Sequence, residues 1–321
     1  MMERLKEPLT DVPVLLIFFA RPKTFSCVFE KIREARPSVL FLACDGPRPG
    51  HPTDVENINL CKQIAENIDW KCTVYKKYSD VNLGCGIGPS SAISWAFEYV
   101  DRLLILEDDC VPDLSIFHYM SNLLEKYKDD ERVGVISSYN HFQKWDCGEY
   151  DYFFTKAGAT LGWGTWKRVW EKYDYYISDF DNPYYRKIIE QEVVNPRAAK
   201  RRCMAWQNTR ARLARGENIS WWDHQFGFVK YINSYLTIVP KENLIYNIGV
   251  GEGSSHATRL KQRKWRVGEV CFMPTGKMPD DIHHPTHIIC DRTYDEAYFR
   301  RIAYRGFFRK VVNRIRRFLD K

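Results

Sequence analysis

Residues 103–109 read Leu-Leu-Ile-Leu-Glu-Asp-Asp, an apolar strand running straight into three consecutive acids. In an open α/β sheet, ligands settle just beyond the carboxyl ends of the strands. Hard carboxylate oxygens gathered there suit a divalent cation such as Mg²⁺ or Mn²⁺, which in turn neutralises a bound phosphate or diphosphate. A solvated acidic turn would show the same residues, so the rest of the chain has to decide. A fourth acid, Asp223, follows Trp221-Trp222 at the head of an apolar helical stretch. By its place alone, an aspartate at a helix start is an ordinary N-cap.

The elements that must position these acids alternate. Val14 to Phe19 is a continuous apolar run, as in a buried parallel strand. A helix capped by Thr24 is expected to about Arg36, a strand over 39–43, and a helix from Thr53 or Asp54 to about Asn67. A third strand follows over 71–75. The glycine-rich run Asn82 to Gly88 then precedes a helix over about 89–99 and a strand over 103–106. A helix over 115–126 and a strand over 133–137 complete the regular half. Strand–helix alternation of this kind predicts a doubly wound, mostly parallel, Rossmann-like α/β sheet with right-handed crossovers. The second half is less regular. It holds a loop over 139–150, a helix from Gly162-Trp163-Gly164-Thr165-Trp166 to about 173, helices near 198–215 and 221–231, and short strands over 236–240 and 244–246. Residues 247–270 are glycine-rich and polar, which suits a mobile active-site loop.

Composition narrows the classes. The chain has 321 residues, 45% hydrophobic and 15% aromatic, enough for one large α/β domain with an appendage. Its longest apolar run, Val12 to Ala20, is nine residues, far too short to cross a bilayer as a helix. The ten cysteines are scattered, with no close pair at metal spacing and no secretory leader ahead of them, so free thiols in a cytoplasmic setting are expected. The net charge of +7 belongs to the tail: residues 299–321 carry nine Lys/Arg against Asp320 alone, leaving the remainder at −1. Within the tail, Phe308, Val311, Val312, Ile315, Phe318 and Leu319 fall on one helical stripe. A basic amphipathic helix over about 296–319 fits either an anionic membrane surface or docking on the domain with a solvated basic face. Nucleic acid is disfavoured as a partner, because the basic residues are confined to one segment.

In order along the chain, Pro13 to Gly46, Asn82-Leu83-Gly84, Glu107-Asp108-Asp109, Leu161-Gly162-Trp163, Trp222-Asp223 and Gly251-Glu252-Gly253-Ser254-Ser255-His256 resemble the GT-A nucleotide-sugar glycosyltransferases, most closely the inverting N-acetylglucosaminyltransferase I type. The likeness covers roughly half the chain. It implies that Arg21, after the first strand, meets the nucleotide and that Asp45 bonds the uracil or ribose. Asn82 and Gly84 would flank the nucleotide. Asp109 would bind Mn²⁺ or Mg²⁺ directly, while Glu107 and Asp108 bond the donor sugar or ribose, or support the ion through water. Leu161, Gly162, Trp163 and Trp222 would wall the donor-sugar and acceptor pocket. Asp223 would be the base of an inverting transfer, with Glu217 in reserve. Ser255 would bond a phosphate, and His256 would touch the diphosphate or complete the metal shell.

With the basic tail and the missing secretory leader pointing to the inner face of a membrane, the resemblance implies a metal-dependent inverting glycosyltransferase taking a UDP-sugar to a hydroxyl of a glycan or lipid-linked glycan. A transferase domain over residues 1–270 and an extension over 271–321 follow from it. Two features depart from the pattern. His283, His284 and His287, near Asp280 and Asp281, have the residue types of a metal site but match no family motif, and a solvated loop is the expectation. No N-terminal anchor precedes the first strand. Two rivals remain. A sugar nucleotidyltransferase would carry a glycine-rich loop after strand one, where this chain has Ala-Arg-Pro-Lys-Thr. A non-catalytic glycan-binding or membrane scaffold would have no use for the intact acids.

Overall fold

The computed structural model describes residues 5–250 and 271–303. Its centre is an eight-stranded sheet. Strands β1 (Val14–Phe18), β2 (Val39–Cys44), β3 (Thr73–Tyr78) and β4 (Arg102–Glu107) lie in the order β3-β2-β1-β4, all parallel. Leu15 sits in register between Phe41 and Ile105, so the apolar run of β1 is buried from both sides. Between these strands run α1 (Pro22–Ala35), α2 (Pro52–Ala65) and α3 (Gly84–Ala96). The chain steps outward from β1 to β3 and then returns across β1 to β4. Right-handed crossovers therefore put α1 and α2 on one face and α3 on the other. The point where strand order reverses, between β1 and β4, is where such sheets open a crevice.

The sheet continues as β8 (Trp163–Trp166), β6 (Val133–Ser137), β9 (Leu236–Pro240) and β7 (Tyr152–Thr155). Strands β8 and β7 run antiparallel to their neighbours, and β6 and β9 are parallel to each other. The doubly wound, mostly parallel α/β class expected from the sequence is thus the one the chain adopts. A separate two-stranded ribbon joins β5 (Cys110–Pro112) to β10 (Ile245–Asn247). Helix α4 (Ser115–Lys126) lies between β5 and β6 in the chain, and α5 (Lys167–Trp170), α6 (Pro183–Glu192), α7 (Pro196–Ala214) and α8 (Asp223–Ile232) fill the span from β8 to β9.

Several boundaries differ from expectation for local reasons. Helix α1 starts at Pro22, whose fixed φ suits a first helical position. Thr24 is therefore already inside the helix, and its hydroxyl donates to the Arg21 carbonyl at 3.2 Å instead of capping. Strands β5, β7 and β8 are three or four residues long and escape a sequence reading, because so short a run shows no period.

One large core joins the sheet to its helices, and a second, smaller one gathers Ile189, Trp206, Phe228 and Tyr231 from α6, α7 and α8. The segment after residue 270 packs into the same body. Met273, Met278 and Ile282 enter the large core, and α9 (Arg292–Ala303) supplies Phe299 and Ala303 to the second. Only the start of the expected tail helix falls among the described residues, and none of their helices is long and apolar enough to cross a membrane.

Candidate active site

A cavity of about 450 Å³ opens at the strand-order reversal, over the carboxyl ends of β1, β2 and β4. Of the residues singled out in the sequence, Arg21, Asp45, Asn82, Gly84, Glu107, Asp108, Asp109, Leu161, Trp222 and Asp223 line it. Stretches as far apart as 21 and 223 are brought together there.

The floor is built where β1 and β4 end. Ala20 takes a left-handed φ of 42°, an uncommon conformation for a residue with a Cβ, and turns the chain sharply between β1 and α1. Arg21 is thereby laid over the acids. Its Nη2 and Nε donate to the two oxygens of Asp108, and Nη1 donates to Asp109 Oδ2 at 2.9 Å. The Phe19 amide donates to Asp108 Oδ2 at 2.9 Å. Asp109 is fixed from the far end of the chain. The Ile248 amide donates to its carbonyl at 2.8 Å, and Asn247 Nδ2 reaches its Oδ1 at 3.3 Å. These contacts exist because β10 pairs with β5 and sets Asn247 opposite Cys110. Gly249 completes the floor: a Cβ there would fall 2.1 Å from Asp109 Oδ2, so only glycine leaves that oxygen uncovered.

The electrostatics are unbalanced. Burial works against the Arg21 charge, but Asp108 and Asp109 hold its guanidinium well above the ordinary range. Burial also pushes the Asp108 carboxyl up, and Arg21 pulls it back. The two-point contact makes these two an ion pair. The surplus falls on Glu107, whose side chain has no hydrogen-bond partner among the described residues. Burial, then the charges of Asp109 and Asp108, push it up to about 8. Three carboxylates and one guanidinium in a water-poor crevice form an oxygen-only donor set with excess negative charge, which fits a hard divalent cation. Among the described residues no three His, Cys, Asp or Glu side chains form a ready-made metal shell. An ion here would rest on Asp109 and fill its remaining positions with phosphate oxygens and water, the usual habit of Mg²⁺.

Asp45 does something the sequence did not foretell. Its Oδ1 accepts the amides of Gly46 and Leu83 at 2.9 and 2.7 Å, and its Oδ2 accepts that of Gly84 at 2.8 Å. It caps α3 from the end of the neighbouring strand, so that helix begins within the glycine run, five residues ahead of its expected start at 89. Asn82 Nδ2 donates to the Gly46 carbonyl at 2.7 Å, tying the same two loops together.

On the opposite wall Asp223 opens α8, is exposed, and makes no hydrogen bond among the described residues. Its charge still reaches the floor, where it adds to the upward push on Glu107. Trp222 lines the cavity edge but is 5% exposed, stacked on Trp163 at 5.6 Å between ring centres. Trp163 lies behind it in the core, and Gly162 turns at φ 52° against Ile245; neither lines the cavity. Glu217 is outside the lining and bound to Arg212 and Arg215 at 2.8 and 2.6 Å. Ser255 and His256 lie outside the described residues. His283 and His284 are engaged by Glu149 and Tyr152 at 2.9 Å each, away from the cavity.

Several lining residues had gone unremarked as site residues, among them Arg48, Lys77, Trp221 and Asn247. Only Trp221 carried a signal, its place beside Trp222-Asp223. Lys77 and Asn247 reach the cavity through strand pairing, and Arg48 through its hold on buried Asp54, none of which local spacing encodes. No protein-family model and no curated protein sequence matches the chain. Among solved structures it is similar to UDP-glucose pyrophosphorylase complexed with UDP-glucose, at 12% identity and a TM-score of 0.39, over 79% of this chain and 99% of that one.

Proposed function

We propose that the protein is a metal-dependent glycosyltransferase that moves a sugar, with inversion, from a UDP-sugar to a hydroxyl of a glycan or lipid-linked glycan. One observation carries the reading: the acid floor and the unbonded carboxylate of Asp223 face the same cavity at the strand-order reversal. Asp109 would hold Mn²⁺ or Mg²⁺, with Glu107 and Asp108 in support. When bound, the ion offsets the charge that gathers on the departing nucleoside diphosphate. Arg21, Asp45, Asn82 and Gly84 would frame the nucleotide, and Leu161 and Trp222 the transferred sugar. Asp223 would take the proton from the acceptor hydroxyl as that oxygen attacks the anomeric carbon and the nucleoside diphosphate leaves, with no covalent enzyme intermediate. Ser255 and His256 would touch the diphosphate. A cytoplasmic enzyme whose basic C-terminal segment meets an anionic membrane completes the proposal.

The test is a thermal-shift panel of UDP, GDP, dTDP and CMP with Mn²⁺ or with EDTA, followed by transfer assays on Asp223→Asn. A UDP shift that vanishes in EDTA supports the donor site. Asp223→Asn should lower turnover by about 10²- to 10⁴-fold while UDP affinity stays within about threefold. Full activity in that variant sinks the base assignment. Pyrophosphate release from UTP and a sugar 1-phosphate would make the protein a nucleotidyltransferase instead. No shift with any nucleotide would favour a scaffold.

A further inference from the structure

Among the described residues two arginines line the cavity, and they differ in what they have left to give. Arg21 spends Nε, Nη1 and Nη2 on Asp108 and Asp109. Arg48, in the loop after β2, is bound along one edge only. Its Nε donates to Asp54 Oδ2 and its Nη2 to Asp54 Oδ1, each at 2.7 Å, and its own amide also reaches Oδ2 at 3.1 Å. Asp54 is 2% exposed, in the first turn of α2, so the anchor is rigid. Its Cζ lies over the Phe19 ring, 5.4 Å from the ring centre. What remains is the Nη1 edge, which has no partner among the described residues.

Position says what those groups can meet. Counting along β4-β1-β2, the end of β2 lies two strands from the acid floor, about 10 Å at ordinary strand spacing. A nucleoside diphosphate anchored by its phosphates at Asp109 extends its base over that distance, past the ribose. A guanidinium held by a buried carboxylate presents its remaining N–H pair in a fixed plane, and that pair needs an acceptor in the same plane, such as a carbonyl oxygen on the edge of a base. We propose that Arg48 is a specificity residue for the donor nucleotide, meeting the base edge-on and donating from Nη1 to a ring carbonyl oxygen. This rests on the nucleotide-sugar reading of the same cavity. Because Asp54 and Phe19 fix the side chain beforehand, little ordering cost remains on binding. Uracil, thymine and guanine offer a ring carbonyl; adenine offers none.

The experiment is calorimetric titration of UDP and ADP, with Mn²⁺, into the full chain, Arg48→Ala, Arg48→Lys and Arg48→Gln. The two ligands carry the same diphosphate and differ in the base. The wild type should prefer UDP. Arg48→Ala should weaken UDP by about tenfold and ADP far less, so that the preference collapses. Arg48→Lys keeps the charge but not the fork and should stay collapsed. If alanine leaves Asp54 unpaired and the chain unfolded, Arg48→Gln retains a donor to Asp54 and gives the same comparison. Equal weakening of both ligands would mean a phosphate contact and overturn the proposal, as would unchanged affinities or a wild type that does not discriminate. A wild type that binds none of UDP, dTDP and GDP shows instead that the nucleotide-sugar reading itself has failed, before any variant is examined.

Discussion

Among the described residues, two places bury charge out of balance, with opposite signs. At the cavity floor, Glu107, Asp108 and Asp109 face Arg21 alone. At the junction of α7, α8 and α9, Arg202 and Lys230, with Lys156 close enough to add to their charge, face Asp295. The junction is sealed by packing. Arg202 lies between the Tyr231 and Phe299 rings at 5.3 and 5.2 Å, and Asp295 already accepts from Thr155, Ala157, Lys156 and Cys290. Its surplus is relieved by losing a proton: burial first, then Arg202, push Lys230 down to about 7. The floor opens on a cavity, so its surplus can be relieved by a ligand. The sign of a buried imbalance therefore says less than whether anything can enter to correct it.

That contrast can be broken at either end. The largest effect should come from Arg21→Met, which leaves Asp108 buried at 3% side-chain exposure without its cation. The loss is about 3 kcal/mol of stability by denaturant titration without metal, and Mn²⁺ should restore part of it. Restoration absent would mean that no ion enters the floor. Next, Asp109→Ala should reduce Mn²⁺-dependent UDP affinity about a hundredfold and abolish the EDTA-sensitive part of the thermal shift. An unchanged shift would move the metal elsewhere.

The junction supplies a smaller, pH-dependent effect. With Lys230 near 7 in the folded chain against an ordinary 10.5, the unfolded chain binds more protons between those values. Its contribution to stability therefore rises with pH across that window, by up to about 1.4 kcal/mol per unit. Lys230→Met should remove that slope from a series of melts between pH 7 and 10, and raise stability most below pH 7. Equal slopes in both proteins would show that Lys230 is not desolvated. The smallest effect is at Gly249→Ala. Its Cβ would fall 2.1 Å from Asp109 Oδ2. A cost of about 1 kcal/mol and a severalfold weaker Mn²⁺-dependent UDP shift are expected.

Legibility in the sequence follows the same division between open and enclosed structure. The parallel strands and helices of the first half announce themselves by apolar runs and period, and the bounds of α4, β6 and β9 follow from pattern alone. The acids stood out because they close an apolar strand, whereas Arg21 and Asp223 stood out only through the order of motifs along the chain. Asn247 and Arg48 did not. One is brought to Asp109 by a three-residue strand pairing, and the other is aimed by a buried aspartate six residues on. The early start of α3 was hidden for the same reason, since its cap is Asp45 on another element. Short antiparallel strands such as β7 and β8 stayed hidden because aromatic residues read equally well as loop or core.

The Asn247–Asp109 contact closes a span of 138 residues. On a ribosome, the parallel sheet through β4 is complete long before β10 is made. The nascent chain will hold its acids in a formed sheet yet lack the strand that fixes them. Such long-range closure is entropically costly and forms late. In refolding, protection of the Ile248 amide should therefore appear after that of the β1 and β4 amides, so that the competence of the site lags behind the compactness of the chain.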